Sequence, residues 1–237
     1  MTSGLHLSKK MMKAWNANPA LGPILHIEPF RPRGVIVGFA ICFVSLPILL
    51  ALFGNPKQGF GETLVVQVIF LLPGFVIWHA FQRRLVVCAH GLLFGPTQWQ
   101  DPCAVIPYDQ IDYQSLTPLR RFHLLSRKDV GWRGNGSSIA WGKWGIVFRA
   151  RAFSYYPNYD HIPFTSLSDF IFGSQREPST LIQLICTAAA EHGCHEALKA
   201  PALNEPPVVL TISRHDLAIQ LPRVYPKPNG NEPPPNY

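Results

Sequence analysis

Two uncharged apolar stretches, residues 35–53 and 64–80, constrain this chain more than any other feature. A helix needs about 20 apolar residues to cross about 30 Å of hydrocarbon, and each stretch is close to that length. Helices of that kind either lie in lipid or require a protein shell on every side. A chain of 237 residues offers little shell once both stretches are set aside. The expectation is a membrane protein of α+β class: an N-terminal transmembrane helical hairpin over residues 34–82, then a mainly antiparallel β domain with one late helix.

The flanking charges give this hairpin a direction. Lys9, Lys10, Lys13, Arg31 and Arg33 precede the first stretch, and Arg83 and Arg84 close the second. The connection over 54–63 holds only Lys57 and Glu62. Positive residues favour the cytoplasmic side, so the expected location is the inner membrane, multi-pass, with both termini in the cytoplasm. Pro47 and Pro73 would kink the pair, and Gln67 is the only strongly polar side chain deep in either stretch. A transport path normally places ionisable groups at that depth, so none is expected. The lead, 1–33, reads as a basic cytoplasmic arm. Ser8 is placed to cap a short helix running to about Asn16, lying on the membrane surface. The lead is too long for a signal-peptide n-region, and no A-x-A site follows the first stretch.

The formal charge is +7. It suits attraction to anionic headgroups; no nucleic-acid motif accompanies it, so no nucleic-acid partner is expected. Five cysteines at these spacings make no disulfide framework.

After Arg84 the periodicity changes. Residues 85–89 and 92–94 read as a β-hairpin about His90-Gly91. Residues 104–116, 121–126, 138–141 and 145–153 read as further strands, and a last strand ends near Phe164 before a turn. Residues 178–192 read as an amphipathic helix, with Pro178 at its start and Gly193 at its end. Leu181, Ile182, Leu184, Ile185 and Ala188 form its apolar face. Residues 196–222 read as a C-terminal extension in which 208–213 and 217–221 pair as a hairpin. Residues 223–237 are proline-rich and read as disordered.

RRLVVCAHGLLF (83–94), VIPYDQIDYQSL (105–116) and the helix at 178–192 together resemble the bacterial pleckstrin-homology-like family of membrane-anchored proteins. The resemblance covers residues 83–195. It implies a bent antiparallel sheet plugged by the closing helix, and a binding role without chemistry. The stretch 127–145 departs from the compact pattern.

No constellation points to catalysis. Cys186, His192, Cys194 and His195 match no zinc spacing, so no metal ligands are assigned. The remaining histidines are scattered, and no nucleophile-elbow or phosphate-loop motif occurs. No cofactor is expected. The most suggestive cluster is basic and aromatic: Arg127, Lys128, Trp132, Arg133, Lys143, Trp144, Arg149 and Arg151. It reads either as a face for anionic headgroups or a protein partner, or as core aromatics beside a solvated basic face. The expected function is a non-enzymatic, membrane-anchored binding or scaffold module. Its expected partners are the lipid bilayer, a protein, and a second copy of the chain. One alternative is an immunity or accessory protein that meets a cognate toxin or secretion partner at the membrane. The other is a membrane-bound enzyme of unknown type.

Overall fold

The computed structural model describes residues 7–29, 38, 41, 84–95, 103–121, 143–156, 159–163, 168–174 and 176–211. In chain order these form α1 (Lys9–Asn16), β1 (Ile24–Pro29), β2 (Arg84–Cys88), β3 (Gly91–Gly95), β4 (Cys103–Pro107), β5 (Ile111–Arg120), β6 (Trp144–Ala150), β7 (Phe153–Tyr156), β8 (Tyr159–Pro163), β9 (Ser168–Ser174), α2 (Ser179–Glu191) and β10 (Val208–Val209). One sheet runs β1-β2-β3-β4-β7-β8 and the other β10-β5-β6-β9. Neighbours are antiparallel except β10 and β5, which are parallel.

The expected membrane protein is corrected. Among the described residues no helix is long and apolar enough to cross a membrane. On the described residues this counts against the transmembrane hairpin, the multi-pass inner-membrane location and the cytoplasmic placing of both termini that followed from it. Helices α1 and α2 hold 8 and 13 residues, which at about 1.5 Å per residue span about 12 and 20 Å. Their apolar side chains form single stripes that face protein. The two apolar stretches behind the expectation lie outside the described residues, apart from Gly38 and Ile41.

The lead packs on the sheet instead of lying apart from it. Ser8 caps α1, its Oγ accepting the Met11 N–H at 3.3 Å. Met11 and Ala14 are fully buried, in one cluster with Val86, Cys88, Leu93, Cys103 and Val105. β1 pairs with β2 from Ile24↔Cys88 to Pro29↔Arg84. Residues 30–83 therefore leave and rejoin the ladder at a single rung.

This packing explains why β2 reads as a continuous apolar run. Leu85 and Val87 face the main core, and Val86 and Cys88 face α1. A strand buried on both faces has no polar alternation to show. The main core joins those residues to Leu92, Phe94 and Ile106 of the first sheet and to Ile111, Leu116, Ile146, Phe148, Phe170 and Phe172 of the second. Leu181, Ile182, Ile185, Cys186, Ala188 and Ala189 of α2 complete it.

Two segments read as single strands each serve both sheets. Residues 104–116 divide at a 3₁₀ turn, Tyr108–Gln110, into β4 and β5. The Tyr108 hydroxyl donates to the Cys88 carbonyl at 2.7 Å, and the Tyr113 hydroxyl to the Tyr108 carbonyl at 2.8 Å. Residues 145–153 divide at Arg151–Ala152 into β6 and β7, and the Arg151 N–H donates to the Gln110 carbonyl at 3.1 Å. The two corners are thereby tied together. The segment after Phe164, read as a turn, holds β9, which pairs with β6 from Trp144↔Ser174 to Ala150↔Ser168. Val208 and Val209 pair in parallel with Leu119 and Arg120; the second arm of the expected hairpin, 217–221, and the proline-rich tail lie outside the described residues.

Candidate functional site

The basic, aromatic cluster does not form one surface among the described residues. Arg127, Lys128, Trp132 and Arg133 lie outside them. Trp144 opens β6 on the same face as the core residues Ile146, Phe148 and Ala150. Arg120 and Lys143 place cations 5.5 and 5.7 Å from its ring centroid, within cation–π range. Arg149 is five residues on, so strand alternation puts it on the opposite face, roughly 17 Å along β6. There its register neighbours are Asp112 on β5 and Asp169 on β9. Arg151 is exposed beyond the end of β6.

Of Cys186, His192, Cys194 and His195, Cys186 is buried in the core, and burial pushes its thiol up to about 11. Cys194 lies near Tyr113. His192 stacks on His90, with ring centroids 4.7 Å apart and planes 24° from parallel.

This histidine pair marks a site that sequence reasoning missed. Each ring is followed by a glycine at an element boundary. α2 stops at His192, whose N–H still donates to the Ala188 carbonyl. Gly193 then takes φ +102°, a left-handed conformation that suits glycine at a helix end. His90 forms the β2–β3 turn just before Gly91. The lead holds that turn from below. The Ala89 and His90 N–H groups donate to the Pro23 and Leu21 carbonyls at 2.9 and 3.0 Å. Gly22 carries the chain through φ +70° and close under the turn, where a Cβ would come 3.2 Å from Ala89 and His90 atoms. The Trp15 Nε1–H donates to the Gly22 carbonyl at 3.0 Å, fastening the loop to α1.

His90 Nδ1 is 3.1 Å from the Ala20 carbonyl. A carbonyl only accepts, so Nδ1 carries the hydrogen and Nε2 is left as the variable position. Beside the two rings opens a cavity of about 500 Å³, lined by Asn18, Ala20, Leu21, Val105, Pro107 and Phe153. Its walls come from the lead, the end of β4, the start of β7 and the end of α2. Phe153 is 40% exposed, high for a phenylalanine. The Tyr108 ring lies 6.1 Å from His192, and burial holds its phenol well above the usual range, so it stays neutral.

A second polar group lies where β1 meets β9. Glu28 is 8% exposed. It accepts the Ser174 hydroxyl at 3.2 Å through Oε1 and meets His26 Nε2 at 3.1 Å through Oε2. Ser174 Oγ also accepts the Arg176 N–H at 3.1 Å. The serine thus addresses the carboxylate and not the imidazole, unlike a nucleophile–base pair.

No family model, curated protein or solved structure matches the chain.

Proposed function

We propose that the chain is a non-enzymatic binding module that takes an apolar anchor group of a protein partner into the pocket beside His90 and His192. One observation carries this reading: a mainly apolar cavity of about 500 Å³ with two imidazoles at its mouth. A concave apolar site with a few convergent polar groups is the usual form of a binding pocket. The half-exposed Phe153 supplies an aromatic wall of the kind that anchors interfaces. The non-catalytic reading is supported by Ser174 and His26 both being turned onto Glu28. For the β body alone, the pleckstrin-homology-like reading is supported by the β2–turn–β3 hairpin and by the late helix in the core.

The test is a titration with N-acetyl-phenylalaninamide, a neutral mimic of an apolar anchor, followed by amide NMR. The expected result is shifts confined to residues 18, 20–22, 90–91, 105–106, 153 and 192. An Ala20→Trp variant, which fills the cavity, should abolish them. Shifts centred on Trp144 instead, or none at all, would reject the pocket as the binding site.

A further inference from the structure

We propose that the group bound beside His90 and His192 is acidic, a carboxylate attached to an apolar body, and that its binding draws a proton onto the histidine pair. This rests on the pocket reading above and adds the chemistry of the ligand. The apolar walls, Leu21, Val105, Pro107 and Phe153, would take the body of the ligand. The polar groups would meet its head.

The lining holds no carboxylate among the described residues; its ionisable side chains are the two histidines. His90 Nδ1–H is committed to the Ala20 carbonyl. Its Nε2 therefore accepts when the ring is neutral and donates only when the ring is charged. A carboxylate only accepts, so it favours the charged ring through a charge-assisted hydrogen bond. Face-to-face stacking at 4.7 Å sets the His192 imidazole beside that of His90, so an anion held against His90 Nε2 also lies near the second ring. An acidic ligand thereby favours the protonated form of the pair.

The surrounding charges are few. Glu191 precedes His192, and Asp109 follows Tyr108; both acidic side chains are exposed. Lys13 lies in the last turn of α1. Tyr108 faces His192 as a neutral phenol. Cys88 accepts the Tyr108 hydroxyl through its carbonyl, and Cys194 follows Gly193 at the end of α2. Burial raises both thiols and keeps them protonated.

The experiment compares N-acetyl-phenylalanine with N-acetyl-phenylalaninamide by calorimetry on the full chain, at about pH 6 and about pH 8.5, on either side of the range in which imidazole titrates. Each titration is repeated in two buffers of different ionisation enthalpy. The acid should bind roughly tenfold more tightly than the amide at the lower pH. Its binding should take up protons, and its advantage should shrink at the higher pH. His192→Phe keeps a stacked ring without a titrating one, and should reduce both the preference and the proton uptake. A parallel titration with 2-naphthoate separates the sources of the acid. Tighter binding of N-acetyl-phenylalanine assigns the site to a protein chain end; tighter binding of 2-naphthoate assigns it to a free aromatic acid. Equal affinity for acid and amide with no proton uptake would overturn the inference and leave the pocket reading standing. Binding by none of these probes would overturn both.

Discussion

Gly91 illustrates how a single position holds the candidate site in place. A Cβ there would meet the Ile106 carbonyl oxygen at 2.7 Å, Leu21 Cδ2 at 3.0 Å and Pro107 Cα at 3.3 Å. Two of these neighbours are backbone, so neither can swing away. Gly91→Ala should cost about 1–3 kcal/mol through overpacking and displace the adjacent His90. Urea unfolding measures the first effect, and the His90 ring resonances report the second. An unchanged midpoint and unchanged resonances would contradict this account. Tyr108 has a comparable role through its hydroxyl, which satisfies the buried Cys88 carbonyl. Tyr108→Phe should cost about 1–2 kcal/mol, because that acceptor is left without its partner. The opposite result, a neutral substitution, would mean that water takes the place of the hydroxyl.

Among the elements, α1 shows how far a short helix depends on what it covers. Eight residues are too few for a helix to be stable in isolation, so its stability comes from Met11 and Ala14 against the sheet. Met11→Ala should destabilise the whole body by about 2–4 kcal/mol, with loss of amide protection in β2 and β3 as well as in α1. Loss confined to α1 would show that the lead and sheet are independent. The cap at Ser8 and the extent of α2 are legible in the sequence, since cap residues and glycine stops act locally. The hairpin about His90-Gly91 is legible for the same reason. The corners at Tyr108–Gln110 and at Arg151–Ala152 are not, because the residues on either side are equally strand-like. Only the tertiary ties from Tyr108 to Cys88 and from Arg151 to Gln110 decide where each strand changes sheet. β9 was hidden because Ser168 and Asp169 resemble a turn, although Phe170 and Phe172 alternate into the core. Within the basic, aromatic cluster, composition groups Trp144 with Arg149, and strand alternation separates these two. The meeting of His90 and His192, which are far apart in the chain, leaves no local trace at all.

For the molecule as a whole, burial of titratable groups fixes the direction of its response to alkali. Burial pushes the Cys88 and Cys103 thiols up to about 12 and Cys186 up to about 11, and raises the Tyr108 and Tyr113 phenols as well. The unfolded chain releases these protons earlier, with free thiols near about 8.5. Above that pH the folded state holds more protons, so stability falls as pH rises toward about 12. Each such thiol contributes a loss of about 1.4 kcal/mol per pH unit while only its unfolded form is ionised. Urea midpoints should therefore decline between about pH 8 and about pH 10, and less steeply in a Cys88→Ala, Cys103→Ala variant. A flat profile would mean that these groups reach solvent.

The Pro29↔Arg84 rung has a consequence for the architecture of the gene product. Residues paired across one rung sit about 5 Å apart, so everything between them is, topologically, a cassette spliced into one hairpin tip. Excising residues 30–83 and bridging the gap with a short glycine-containing turn should leave β1 and β2 in register and the histidine pocket competent. Circular dichroism and the N-acetyl-phenylalanine titration would show both. A collapsed spectrum would instead make the cassette an integral part of the body's folding.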